Sequence, residues 1–191
     1  MPSLARAGEL SLSITDAKGA AVSDAVITVY PDSGVPQGNI HFAWSPVMRQ
    51  QNIQFVPGTL IVPVGATVAF PNYDRVRHHV YSFSRAAKFE LKLYGQDQSR
   101  SYTFPVAGTV ALGCNIHDTM HGFIKVVDTP YAEKTDSMGH VLIKNLPEGA
   151  VTIRIWHPLQ KAPEQESSVR GIISDGATVK RRVSITLRLS R

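Results

Sequence analysis

Short runs in which apolar and polar residues alternate with period two recur along this chain, and no segment repeats with helical period. Leu10-Ser-Leu-Ser-Ile14 is the first such run; Asp16-Ala-Lys-Gly19 reads as a turn, and Ala25–Tyr30 as the next strand. Pro31 to Gly38 is broken by Pro31, Gly34, Pro36 and Gly38 and reads as a linker. Residues 39–51 are irregular and are read as a short helical turn or a lid. From Asn52 the runs come quickly: Ile53–Val56, Thr59–Val62, Thr67–Phe70, His78–Phe83, Phe89–Leu93, Ser101–Phe104, Val110–Leu112 and Phe123–Val127. Phe89-Glu-Leu-Lys-Leu93 is expected to turn its apolar positions inward. Asp128-Thr-Pro130 is a second break. Beyond it lie an alternating strand that starts near His140, then Val151–Trp156, Val169–Ile173 and Val179–Leu189. The last of these sets Val179, Val183, Ile185, Leu187 and Leu189 on one face. Short strands at this spacing predict an all-β chain built as sandwich or barrel.

Composition bounds the function without choosing it. The 191 residues suffice for one large β domain or two small ones. The net charge of +5 favours acidic partners in general. Nucleic acid is not singled out: the one short basic run, Lys180-Arg-Arg182, lies within a strand-like alternation and reads as a solvated strand face or edge. No apolar stretch is long enough to span a bilayer. Dinucleotide, P-loop and nucleophile-elbow patterns are absent, and the chain is expected not to be an enzyme.

The candidate chemistry sits in Val110-Ala-Leu-Gly-Cys-Asn-Ile-His-Asp-Thr-Met-His-Gly-Phe123. Two strand-like runs flank a loop that presents Cys114, the only cysteine, then His117 and Met120 at intervals of three. Upstream, His78 and His79 each offer a further imidazole. Two imidazoles and a thiolate with a weak axial thioether suit copper cycling between Cu(I) and Cu(II), because the soft sulfurs hold the reduced ion and the imidazoles the oxidised one. Zinc would prefer a site without Met. Two other readings are a buried structural Cys beside surface histidines and a Cys nucleophile paired with His; the latter lacks a supporting helix after Cys114.

Cys114-x-x-His117-x-x-Met120 resembles the ligand loop of the cupredoxins, with the short spacing of amicyanin, and Met120-His-Gly resembles the amicyanin segment that follows its axial Met. His78-His-Val80 is similar to the cupredoxin His-Asn-Val, with Asn72 six residues before His78. The resemblance covers roughly residues 52–128 and implies one mononuclear type 1 copper site held by His78, Cys114, His117 and Met120. Two positions depart from the family pattern. Arg77 stands where Pro is common, and His79 replaces an Asn that steadies the ligand loop, which leaves the outer hydrogen bonds unassigned. Met48 is a further axial candidate, with packing as the alternative.

The two ends of the chain carry a second resemblance. Thr15-Asp16-x-x-Gly19-x-x-Val22-x-x-Ala25-x-Ile27 and Thr135-Asp136-x-x-Gly139, the latter running on to Asn145-Leu-Pro-x-Gly149, are similar to runs of carboxypeptidase regulatory-like domains, which are small Ig-like sandwiches. The expected architecture is a cupredoxin Greek-key β-sandwich, residues 39–128, inserted into an Ig-like domain made from 1–38 and 129–191; simple tandem order is the alternative.

By resemblance the chain is expected to transfer single electrons to or from a redox partner protein with an acidic surface, with His117 as the exit. The alternative is a periplasmic copper-binding protein for delivery, storage or resistance, with His79, His121 and Met48 as transfer ligands. A copper-free interaction protein is a further alternative. A multicopper oxidase would need His-x-His pairs, which are absent. Cupredoxins of bacterial type are usually exported, so a periplasmic location with the signal peptide already removed is expected. His121 is read as a loop residue, His140 as surface, and His157 as capping a strand or facing the copper module.

Overall fold

The computed structural model describes residues 7–188. The strands are, in order, β1 Gly8–Asp16, β2 Val26–Pro31, β3 Arg49–Gln50, β4 Phe55–Val56, β5 Thr59–Pro63, β6 Thr67–Pro71, β7 His78–Ser84, β8 Ala87–Tyr94, β9 Ser99–Thr103, β10 Gly108–Gly113, β11 His121–Val127, β12 Ala132–Lys134, β13 His140–Leu146, β14 Gly149–Trp156, β15 Glu166–Ile173 and β16 Thr178–Ile185. A single 3-10 turn, Pro163–Gln165, is the only helical element among the described residues. The chain divides into two compact units: residues up to Gly38 together with those from Thr129 onward, and Asn39–Asp128.

The unit made from the two ends has two sheets, β13-β1-β16 and β12-β2-β14-β15. The alternation of β1 is realised literally: Leu10, Leu12 and Ile14 are buried, and the residues between them are not fully so. They share one core with Ile27 and Val29 of β2, Ile143 of β13 and Val151, Ile153 and Ile155 of β14, so two sheets pack face to face. β1 pairs antiparallel with β13 and parallel with β16, the sheet's two outer strands. Lys180, Arg181 and Arg182 lie exposed on β16. Leu187 packs at the margin of this core, and Leu189 lies outside the described residues. Two Thr-Asp-x-x-Gly turns tie the sheets. Asp16 Oδ1 accepts from the N–H of Lys18 and Ala20, and Asp136 Oδ1 from those of Met138 and His140.

The central unit carries a five-stranded sheet, β5-β11-β10-β7-β8, and a second layer in which β6 pairs with β9. Residues 46–50 belong to that second layer and are neither helical turn nor lid. Ala69 N–H donates to Pro46 O and Met48 N–H to Ala69 O, which lays the segment alongside β6. Met48, Val68, Phe70, Val80, Val110, Leu112 and Ile124 fill the core between the layers. The expected facing of Phe89–Leu93 fails at its last residue. His78 pairs with Tyr94 but Val80 with Leu91, so β8 bulges by one residue. The slip flips the phase: Leu93 is exposed and Tyr94 is buried beside the strand that starts at His78.

Candidate metal centre

β10 and β11 run antiparallel from Gly108↔Val126 to Gly113↔His121, and the seven residues from Cys114 to Met120 close the end of this hairpin. Asn115, Ile116, Asp118 and Thr119 are exposed, Cys114 and Met120 are buried, and His117 is partly buried. His117 O accepts the N–H of Met120 at 2.9 Å, which folds the loop back on itself.

His78 opens β7, beside the end of β10, where Gly113 pairs with Tyr81. The topology thereby converges residues 36 positions apart. One ligand atom each of His78, Cys114 and His117 lies within 4.8 Å of the others. Cys114 Sγ is 3.8 Å from His78 Nδ1, and the two imidazole rings sit 5.1 Å apart, tilted by 58°. His117 Nδ1 is buried with no hydrogen-bond partner. Met120 is 1% exposed and, like Met48, packs in the same core cluster as Cys114.

A residue that sequence reading passed over supports this group. Asp74 Oδ2 lies 2.8 Å from His78 Nε2. The same carboxylate accepts the N–H of Asn52 at 2.7 Å and of Ile53 at 3.0 Å. Burial opposes its ionisation, yet the bonds from Ile53, His78 and Asn52 outweigh that and hold the carboxyl below the usual range. Asn72 fixes the turn: its Oδ1 accepts Asp74 N–H, and its Nδ2 donates to Val76 O and Tyr94 O. Tyr94 in turn donates to Phe70 O at 2.7 Å and accepts from Gln50 Nε2. Burial pushes the Tyr94 phenol up to about 12, against the pull of Gln50 and Arg100.

His79 is not a solvated loop residue. It is 7% exposed, its Nε2 lies 2.7 Å from Glu90 Oε1, and its ring sits beside Tyr81. Neighbours on a strand point to opposite faces, so His79 is directed away from the side of β7 that His78 occupies. The outer support expected from an Asn at this position comes instead from Asn72 and Asp74, six and four residues before His78. His121 is exposed at the start of β11 and His140 at the start of β13. His157 accepts Leu159 N–H on Nδ1 at 3.2 Å, within its own unit.

The donor set fits copper on two observations: a buried imidazole nitrogen with no partner on His117, and a second, His78 Nδ1, presented to the only thiol while its far nitrogen is occupied. No protein-family model matches the chain, and no curated protein does. Among solved structures, the chain is similar to a purple cupredoxin from Nitrosopumilus maritimus, at 23% identity and TM-score 0.38 over 42% of this chain and 96% of that one. It is similar to a reduced form of an amicyanin variant at 25% identity and TM-score 0.40, over 55% of this chain and 99% of that one. It is also similar to a copper-containing nitrite reductase, NirK, from Thermus scotoductus, at 24% identity and TM-score 0.41; the match covers 50% of this chain but only 24% of the reductase.

Proposed function

We propose that this chain binds one copper ion in a type 1 site and passes single electrons between protein partners. The observation that carries the reading is the convergence of buried His78 and Cys114 with partly buried His117, and Met120 in the same core. Copper bound there would supply a one-electron couple between Cu(I) and Cu(II). The Cys114 thiolate and the Met120 thioether suit the reduced ion, and the imidazoles of His78 and His117 keep the oxidised ion bound. The packed core and the anchored turn resist rearrangement between the two, so little motion accompanies each electron. His117 is the least buried of the four and sits on a loop whose neighbours Ile116 and Asp118 face water, which makes it the natural exit. The surplus of positive charge would steer an acidic redox partner.

The end-built sandwich is read as an Ig-like domain, and an exported, periplasmic setting as the one that suits such a carrier. No helix among the described residues is long and apolar enough to cross a membrane. Copper delivery or storage is the other reading, with His79 as one of its extra ligands. His79 is instead held by Glu90 outside the three-residue group, which favours the carrier.

The test is to add Cu(II) to the metal-free protein. An intense visible thiolate-to-copper band is expected; it should vanish in Cys114→Ser, and fall far more in His78→Ala than in His79→Ala. A colourless one-to-one complex would reject the type 1 site. A reversible potential with rapid self-exchange separates a carrier from a protein that hands its metal on.

A further inference from the structure

Asn52 and Ile53 both adopt left-handed backbone, each at φ 56°. For a β-branched residue this conformation is costly, on the order of 1–3 kcal/mol, and persists only where the surroundings over-determine it. Here the two successive N–H groups converge on the Asp74 carboxylate, forming a backbone nest for an anion. The side chain of Asp74 is only 13% exposed. Each contact made by its two oxygens is with a donor or with His78 Nε2. An ionised carboxylate only accepts, so a neutral His78 carries its proton on Nε2, which leaves Nδ1 bare and facing Cys114 at 3.8 Å.

We propose that Asp74 is a positioning residue: clamped in the 52–53 nest, it fixes the tautomer of His78 and, through its negative charge, biases the centre toward the oxidised metal. The inference rests on the copper reading above. The physical reason is charge balance. A Cu(II)–thiolate pair carries one positive charge more than the Cu(I) pair, and a fixed carboxylate one imidazole away stabilises that extra charge preferentially. Asparagine cannot stand in. Its amide would set an N–H against one of the donors that the carboxylate accepts, so one bond becomes a repulsion as the charge is lost.

The experiment uses the full chain and copper itself as the probe. Asp74→Asn loaded with copper should keep its thiolate-to-copper band. It should bind Cu(II) about 10- to 100-fold more weakly, as other losses of an outer hydrogen-bonding partner do. A tenfold loss specific to Cu(II) reads as a rise in potential of about 59 mV for a one-electron couple. Independently of copper, nitrogen NMR of the metal-free wild type in mildly alkaline buffer should show His78 as the Nε2–H tautomer. If the wild type shows no band, the copper reading falls while the tautomer result still tests the clamp. If the band is present but Asp74→Asn leaves the potential unchanged, or if His78 carries its proton on Nδ1, the role assigned to Asp74 is wrong. Should Asp74→Asn fail to fold, the tautomer measurement decides.

Discussion

Gly113, the residue before Cys114, has no room for a methyl group. A Cβ built there would lie 2.6 Å from Cζ of Tyr81, 2.7 Å from its Oη and 3.0 Å from Cε1. To admit the methyl the Tyr81 ring must shift from its place beside the rings of His79 at 5.9 Å and Phe83 at 5.2 Å. Gly113→Ala should therefore cost about 1–3 kcal/mol, the range for forcing an extra methyl into a filled site. In a Tyr81→Ala background the same change should reverse sign. With the ring gone, only the strand-interior penalty of glycine remains, and replacing it by alanine gains about 0.5–1 kcal/mol. The cycle thus predicts a coupling of about 2 kcal/mol or more, beyond the roughly 0.5 kcal/mol scatter of independent sites. Urea unfolding of the metal-free protein, followed by Trp44 in a Trp156→Phe background, reports on this unit alone, because Trp156 belongs to the other. With a slope near 2 kcal/mol per molar, that coupling is a midpoint difference of about 1 M. Additive single and double variants would refute the steric reasoning.

Two further outcomes follow from the end-built unit. Gly19 and Gly139 both hold positive φ, 85° and 73°, but a Cβ on Gly19 meets nothing within 4 Å, whereas one on Gly139 would meet Ile14 O at 2.4 Å and Val22 N at 3.1 Å. Gly19→Ala should cost about 1–2 kcal/mol, from conformation alone; Gly139→Ala should add about 1–3 kcal/mol of backbone displacement. Thermal melts showing equal losses would reject the distinction. Burial holds His157 below the usual histidine range despite the charge of Asp24. The unfolded chain therefore takes up this proton first. Stability of the unit should decline as pH falls through about 6.5, and level off below the depressed folded value. His157→Asn, which keeps an acceptor for Leu159, should flatten that decline in pH-dependent unfolding; an unaltered profile would show that other groups cause it.

How much of this was legible beforehand depends on how local the signal is. The runs of β1, β5, β10, β11 and β14 announce themselves by alternation where one face is buried and by an unbroken apolar run where both are, as in β5. Cys114, His117 and Met120 are legible for the same reason: they occupy one loop between two readable strands. Residues 46–50 are not, since their pairing with β6 is set by the fold and not by their own pattern. Ala132–Lys134 is too short to alternate, and the bulge that exposes Leu93 leaves no mark in its composition. Asp74 looks like an ordinary turn residue until the backbone of Asn52 and Ile53 is known. One local rule separates His79 from His78: adjacent residues on a strand face opposite ways.

β1 lies between β13 and β16, so neither of its sheet neighbours exists when it leaves the ribosome. At about 5–20 residues per second, the first of them emerges on the order of ten seconds later. Residues 39–128 are all synthesised within that interval, so the central unit can fold while β1 still waits for its sheet neighbours, its Leu10, Leu12 and Ile14 lacking their core partners from β13 and β14. Nascent chains stalled shortly after Asp128 have emerged should therefore already take up copper, and would also be the species that most needs a chaperone.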